Sequence, residues 1–375
     1  MFEKTKAFCD SFLELGVPCF DLLVYKDGKP LLRHMGGYRD LEAKLPVTAN
    51  ERRWIYSCTK PITVTAAMQL WEQKRFSLDD LLSDYLPAFR DMTVQTPEGI
   101  VPAKTPIRIE NLFTMTAGFS YNYRSPKLLE LRSHTPNPTT RQVIDALAQE
   151  PLFFEPGDRY QYSLCHDVLG ALIEALSGLP LETYIRKHIF EPLGMQDSTF
   201  LLSEDEFSTM SPLYRFDKET GHANRLPATP DRVGTNYVSG GGGCVTTTED
   251  YMKFAEAMRT GETLLKRDTI SLMATHWLTP HQKRTFPLKT LGYGLGIWTP
   301  MPGQLRQDFG WGGAGGALLA VDVSRGLSIV YSQHMLSSPN QGMRSRMVAT
   351  LLEELEGVSA AKANTEAEKN YQLTY

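Results

Sequence analysis

The alternation of apolar and polar positions divides the chain into two sheet-forming ends and a helical middle. Phe8, Phe12, Leu13 and Leu15 fall at helical spacing between Phe2 and Leu15, and Gly16 stops the pattern, which predicts an amphipathic helix covering a sheet. Cys19 to Tyr25 and Pro30 to His34 then flank Lys26-Asp27-Gly28-Lys29, and Asp-Gly between apolar runs predicts a β-hairpin. Ile62, Val64, Ala66, Ala67, Met68, Leu70 and Trp71 predict a buried helix. Ser77 stands as a helix cap before Leu81, Leu82, Tyr85 and Leu86, a stretch closed by Pro87.

From about residue 88 to 240 the chain is rich in proline, short helical patterns and loops. Sheet signals return in the last third. Gly292 to Trp298 alternates glycine with large residues, and Ala317 to Val323 and Leu327 to Ser332 flank Ser324-Arg325-Gly326 as a second hairpin. Gln341 to Leu355 is a helical pattern, and beyond Gly357 the residues turn small and polar. The order predicts an α+β fold: one antiparallel sheet flanked by N- and C-terminal helices, with an inserted, mostly helical subdomain. The expected boundaries are about 1–87 plus 241–358 for the α/β subdomain, about 88–240 for the helical one, and 359–375 for a polar tail.

Composition changes this picture little. With 375 residues, 42% hydrophobic and 22% charged, the chain has enough material for two packed subdomains. A net charge of −4 and the lack of a basic block argue against nucleic acid or an anionic membrane as partner. The start Met1-Phe2-Glu3-Lys4 has no basic and apolar leader pattern, and no run of 18 apolar residues occurs, so the expected location is cytoplasmic. Cys9, Cys19, Cys58, Cys165 and Cys244 are scattered without Cys-x-x-Cys spacing and read as reduced thiols, so no zinc site is expected.

Candidate chemistry lies where the buried helix begins. A serine is a poor nucleophile until a neighbour accepts its proton, and a lysine does this only when its pKa is brought down from ~10.4. Ser57-Cys58-Thr59-Lys60 puts both side chains on one helical face. Ser359-Ala360-Ala361-Lys362 has the same spacing, but its polar surroundings give it no buried helix and it is set aside.

Further pieces follow in a familiar order: Gly37-Tyr38-Arg39-Asp40, Leu112 to Gly118, Glu155-Pro156-Gly157, Tyr160-Gln161-Tyr162-Ser163-Leu164, Pro192-Leu193-Gly194-Met195, and Gly240 to Gly243 before Thr246 to Asp250. With Ser57 to Lys60 they resemble the serine β-lactamase and penicillin-binding-protein superfamily over most of the chain. Within it the chain is most similar to class C β-lactamases and, more closely, to family VIII carboxylesterases. The resemblance makes Tyr162 the counterpart of the tyrosine in that superfamily's Tyr-x-Asn motif, with Tyr160 as internal rival. Beside the Lys60 ammonium such a phenol would serve as base and then as acid.

Two departures from the pattern bear on the substrate. Trp311-Gly312-Gly313-Ala314 stands where the superfamily usually has Lys-Thr-Gly, so a cation that receives a substrate carboxylate is replaced by an aromatic wall. Leu164 stands where asparagine is common, so an amide that holds an acylamino group is missing. The resemblance further implies an oxyanion hole from the backbone N–H groups of Ser57 and Ala314, and contacts to substrate from Trp311, Gly312, Gly313, Leu164 and Tyr121.

Other motifs are decoys. Gly310-x-Gly312-x-x-Gly315 has the spacing of a dinucleotide fingerprint but precedes a predicted strand. Ser120-Tyr121-Asn122 mimics the Ser-x-Asn of class A β-lactamases, yet no Lys-Thr-Gly follows, and Ser120 is read as structural. There is no Gly-x-Ser-x-Gly elbow and no His-Glu-x-x-His, and His166 and His334 require no catalytic role. The expectation is a serine hydrolase forming an acyl-enzyme on Ser57 with Lys60 and Tyr162, acting on short-chain carboxylic esters with weak activity on β-lactams. A true β-lactamase, a D-amino-acid peptidase, an acyltransferase and a noncatalytic acyl-binding scaffold are the alternatives. The partner is then a small-molecule ester or β-lactam, and no metal or organic cofactor is implied.

Overall fold

Eight strands, numbered in chain order, form one antiparallel sheet: β1 (Cys19–Lys26), β2 (Lys29–Asp40), β3 (Leu45–Pro46), β4 (Gly292–Tyr293), β5 (Trp298–Thr299), β6 (Phe309–Gly312), β7 (Leu318–Asp322) and β8 (Leu327–Ser332). Their order in space is β4-β5-β6-β7-β8-β1-β2-β3, so strands from the two ends of the chain meet at β8 and β1. There Leu22 faces Tyr331 and Leu23 faces Val330 in register. This computed structural model describes residues 1–227, 233 and 235–357; the polar tail at 359–375, with Ser359 and Lys362, lies outside the described residues.

Helices cover both faces of the sheet. Helix α1 (Glu3–Glu14) sets Phe12 edge-on to Tyr331, while the Ser332 hydroxyl bonds Thr248 in a further helix, Thr248–Thr260. Neighbouring residues of a strand point to opposite faces, so these two helices lie on opposite sides. That double cover explains why β1, β7 and β8 read as continuous apolar runs. The C-terminal helix Met343–Glu356 packs on α1, and its Glu354 carboxylate accepts the Lys4 and Thr5 N–H groups, which α1 itself leaves unpaired.

Helix α2 (Thr59–Glu72) runs through the centre. Eleven of its fourteen residues are buried, as its near-continuous apolar sequence requires. It packs against α3 (Cys165–Ser177) of the inserted segment on one side and touches β6 of the sheet on another. The beginning of α2 is thereby held at the junction of sheet and insertion.

Three local features depart from expectation. The stretch after Ser77 forms only two 3-10 turns, Leu82–Asp84 and Pro87–Phe89, because Asp80 takes the Ser77 N–H and turns the chain early. Gly292 to Trp298 is a tight turn between two short strands: a Cβ on Gly294 would lie 2.0 Å from the Met273 carbonyl, so its glycines serve close packing. Between residues 88 and 240 two small antiparallel hairpins, Thr93–Thr96 with Gly99–Pro102 and Tyr214–Asp217 with His222–Arg225, accompany the helices.

Candidate active site

Ser57 is presented by a sharp 3-10 turn, Tyr56–Cys58, that leads directly into α2. Tyr56 holds φ at 47°, a left-handed conformation that costs a bulky residue on the order of 1–3 kcal/mol. The sheet holds it there, for the Tyr56 ring lies so close to Gly315 that a Cβ would approach it to 2.8 Å. On the same side, a Cβ on Gly313 would come within 2.1 Å of the Ile55 carbonyl, and the Cys58 thiol donates to the Trp311 carbonyl at 3.3 Å. Glycine is therefore required at 313. The edge of β6 and the Gly313–Ala317 loop press on the turn that carries Ser57.

Around the Ser57 hydroxyl the geometry closes tightly. The Tyr162 hydroxyl donates to Ser57 Oγ at 2.6 Å, and Lys60 Nζ donates to the same oxygen at 3.3 Å. Lys60 is fully buried, makes a second bond to the Gly241 carbonyl at 2.7 Å, and lies 4.5 Å from the centre of the Tyr162 ring and 5.3 Å from that of Tyr121. Burial brings its pKa down to about 7, against the opposing pull of the Asp167 carboxylate. Burial acts in the other direction on the Tyr162 phenol and pushes it well above its ordinary value. The amine is thus the group ready to take a proton, and the phenol stays protonated.

The tyrosine rivals separate clearly. Tyr162 is stacked between Tyr121, at 5.2 Å, and Trp311, at 5.9 Å, so the aromatic wall at 311 is continuous with the rings that position the hydroxyl. Tyr160 packs behind Trp311, with Phe286 and Tyr293 each at 5.0 Å and Tyr293 in turn 5.4 Å from Trp311, and its hydroxyl is not bonded to Ser57 or Lys60. Of the residues expected around a substrate, Tyr121 and Trp311 flank the Tyr162 ring whose hydroxyl reaches Ser57, and Gly313 lies against the Ile55 carbonyl two residues before it. Leu164 sits 1% exposed at the start of α3, where its side chain joins the main core and its N–H holds the Ser120 carbonyl, so it offers almost no surface to a ligand. Ser120 takes the Asn122 N–H and shapes the loop, as a structural serine does.

Asp167 is the residue that sequence reasoning missed. It is fully buried on α3, and its Oδ1 accepts from the Tyr237 hydroxyl at 2.5 Å and from Ser239 at 2.7 Å. Oδ2 has no hydrogen-bond partner among the described residues and faces Gly241, where a Cβ would stand 2.4 Å from it and 3.5 Å from Lys60 Nζ. The glycine run at 240–243 thus lets the chain pass between acid and amine. An acid inside the apolar run of α3 was the available signal. His166 is buried and held neutral by burial and by Lys60, and His334 is buried, brought down to about 3, and bonded to Trp54 N–H and the Ser211 carbonyl. All five cysteines are buried and free. No cluster suited to hold a metal ion occurs among the described residues.

A large groove of about 790 Å³, lined by Trp71, Arg75, Phe76 and Tyr85, opens at the far end of α2 from Ser57. The pocket beside Trp311 and Gly312 is narrow, about 30 Å³, with walls of Phe286, Pro287, Leu288 and Trp298. Chemistry, not volume, marks the site here.

An antiparallel sheet with an inserted helical segment and a buried Ser-x-x-Lys pair beside a tyrosine defines a serine-hydrolase architecture. The Beta-lactamase family model matches residues 6–352, and the chain belongs to that family. An uncharacterized protein of Mycobacterium tuberculosis is 30% identical over 349 residues, 86% of each chain. Esterase EstB of Burkholderia gladioli is 28% identical over 342 residues, 82% of this chain and 83% of its own. Among solved structures, EstCE1, described as a hydrolase with promiscuous acyltransferase activity, superposes with a TM-score of 0.75 at 24% identity, covering 94% of this chain and 97% of that one.

Proposed function

We propose that this protein is a carboxylesterase that cleaves short-chain esters through an acyl-enzyme on Ser57. The observation that carries the reading is the Ser57 hydroxyl held between the Tyr162 hydroxyl at 2.6 Å and the Lys60 amine at 3.3 Å. Neutral Lys60 takes the Ser57 proton, directly or through Tyr162, as Oγ attacks the ester carbonyl. The N–H groups of Ser57 and Ala314 receive the oxyanion, each worth roughly 2.7–4 kcal/mol in such sites. Tyr162 passes a proton to the departing alkoxide and is reprotonated from Lys60, and water then releases the acid by the reverse relay.

The pH dependence follows from the Lys60 amine. Its pKa of about 7 places the rising limb of kcat/KM near that pH, activity increasing as the ammonium deprotonates. Ser57, Tyr121, Tyr162, Cys58, Cys165, His166 and Asp167 surround the amine, and Asp167 is the strongest influence favouring the ammonium. Asp167→Asn is therefore expected to move the rising limb to lower pH, read from a kcat/KM profile between pH 5 and 9. A profile unchanged or displaced upward would exclude Asp167 from control of the base.

Ester preference is supported by Trp311, by the narrow pocket beside it, and by similarity to an enzyme named as an esterase. A substrate carboxylate that lacks its charge-assisted hydrogen bond loses roughly 1.5–3 kcal/mol, one to two powers of ten in rate or affinity, whereas a short-chain ester never used that bond. The test is a steady-state panel of short-chain p-nitrophenyl esters, penicillins and cephalosporins on wild type and Trp311→Lys. Higher kcat/KM for esters in the wild type, with a narrower gap in the variant, is the expected result. Faster β-lactam hydrolysis by the wild type would replace this reading with a β-lactamase.

A further inference from the structure

We infer that Arg344 is a positioning residue for the oxyanion site, acting through the Gly313–Ala314 peptide; the inference rests on Ser57 and Ala314 being the oxyanion donors. Arg344 lies in the first turn of the C-terminal helix and is 6% exposed. Its Nη1 donates to the Gly313 carbonyl at 3.1 Å and to the Ala317 carbonyl at 3.0 Å, and among the described residues it makes no ion pair. The loop it grips already closes on itself, with Gly313 N–H bonded to the Ala317 carbonyl at 2.8 Å and Gly316 N–H to the Gly313 carbonyl at 3.0 Å. A buried guanidinium carries a desolvation penalty of several kcal/mol, far more than closing a short loop requires. A neutral donor would do that task.

What the charge adds is electronic and geometric. The Gly313 carbonyl and the Ala314 N–H are the two ends of one planar, resonance-coupled peptide unit. A cation bonded to the oxygen draws density from the nitrogen, makes the N–H a stronger donor, and fixes the plane before substrate arrives. Charge-assisted bonds are about twice as strong as neutral ones, and preorganised donors act without rearrangement at the moment of reaction. Gly313 also lies against the Ile55 carbonyl, two residues before Ser57, since a Cβ there would stand 2.1 Å from it. Arg344 and the residue preceding the Ser57 turn thus both bear on Gly313, whose peptide carries the Ala314 donor, and the cation has its effect when negative charge develops on the substrate oxygen.

The experiment compares wild type with Arg344→Gln, which keeps an N–H donor without charge, and Arg344→Lys, which keeps charge without the planar fork. Active sites are counted by fluorophosphonate labelling of Ser57, so a poorly folding variant is still read per competent molecule. With p-nitrophenyl acetate, a neutral ester, Arg344→Gln is expected to lower kcat per active site about tenfold, less than the loss of a whole donor, and to leave KM within about twofold. Phenylboronic acid, whose tetrahedral adduct places an oxygen in the same site, is expected to bind about tenfold more weakly. Arg344→Lys is expected to recover part of both losses. A normal kcat per active site with a smaller labelled fraction would show a purely structural arginine, and a loss confined to substrates bearing a carboxylate would show an anion-binding one; either overturns the inference. Absence of label at Ser57 in the wild type would instead overturn the nucleophile assignment, and this inference with it.

Discussion

Ser57→Ala is expected to abolish fluorophosphonate labelling and to lower ester turnover by about 10⁶, the scale on which removal of a serine nucleophile acts. The substitution deletes one oxygen that accepts bonds from Tyr162 and Lys60, so it removes the attacking atom and leaves backbone and rings in place. Its structural penalty is the loss of one hydrogen-bond acceptor for the Tyr162 hydroxyl, while Lys60 keeps the Gly241 carbonyl. The left-handed Tyr56 conformation is imposed by the sheet and does not depend on the hydroxyl. The variant should therefore fold, with near-UV circular dichroism like the wild type and mass spectrometry showing no adduct. Turnover persisting in such a folded variant would place the nucleophile elsewhere.

Lys60→Ala and Tyr162→Phe are each expected to lower the acylation rate by about 10² or more, because each removes one station of the proton relay. Their signatures differ. Lys60→Ala removes the group whose pKa lies at about 7, so the rising limb of the pH profile should disappear along with the rate. Tyr162→Phe retains the ring stacked between Tyr121 and Trp311 and loses only the hydroxyl at 2.6 Å from Ser57, so the limb should persist on a much reduced rate. Tyr160→Phe is the control, since its ring packs on Phe286 and Tyr293 and it is Tyr162 that bonds Ser57. Presteady-state release of p-nitrophenol measures all three. A large loss in Tyr160→Phe with none in Tyr162→Phe would mean that the relay runs through the other tyrosine.

Much of this protein was determined by local pattern. The Asp27-Gly28 hairpin, the terminal helices, the Ser324-Arg325-Gly326 turn and the buried helix after Lys60 each follow from spacing and turn chemistry within a short window, where neighbours in sequence are also neighbours in space. Ser57 and Lys60 share a face for the same reason, being three residues apart. Tyr162 and Trp311 were legible only through the order of motifs, because no local rule relates residues so distant in the chain. Three matters were decided by tertiary structure alone. Burial set the proton preferences, bringing Lys60 down and Tyr162 up, and burial is a property of everything packed around a group. Asp167 became part of the site because α3 lies against α2 and glycine at 241 lets acid and amine share one gap. Arg344 reached the Gly313 carbonyl because the last helix folds back beside the loop between β6 and β7, a contact set by how the elements pack and not by any pattern within a window of sequence.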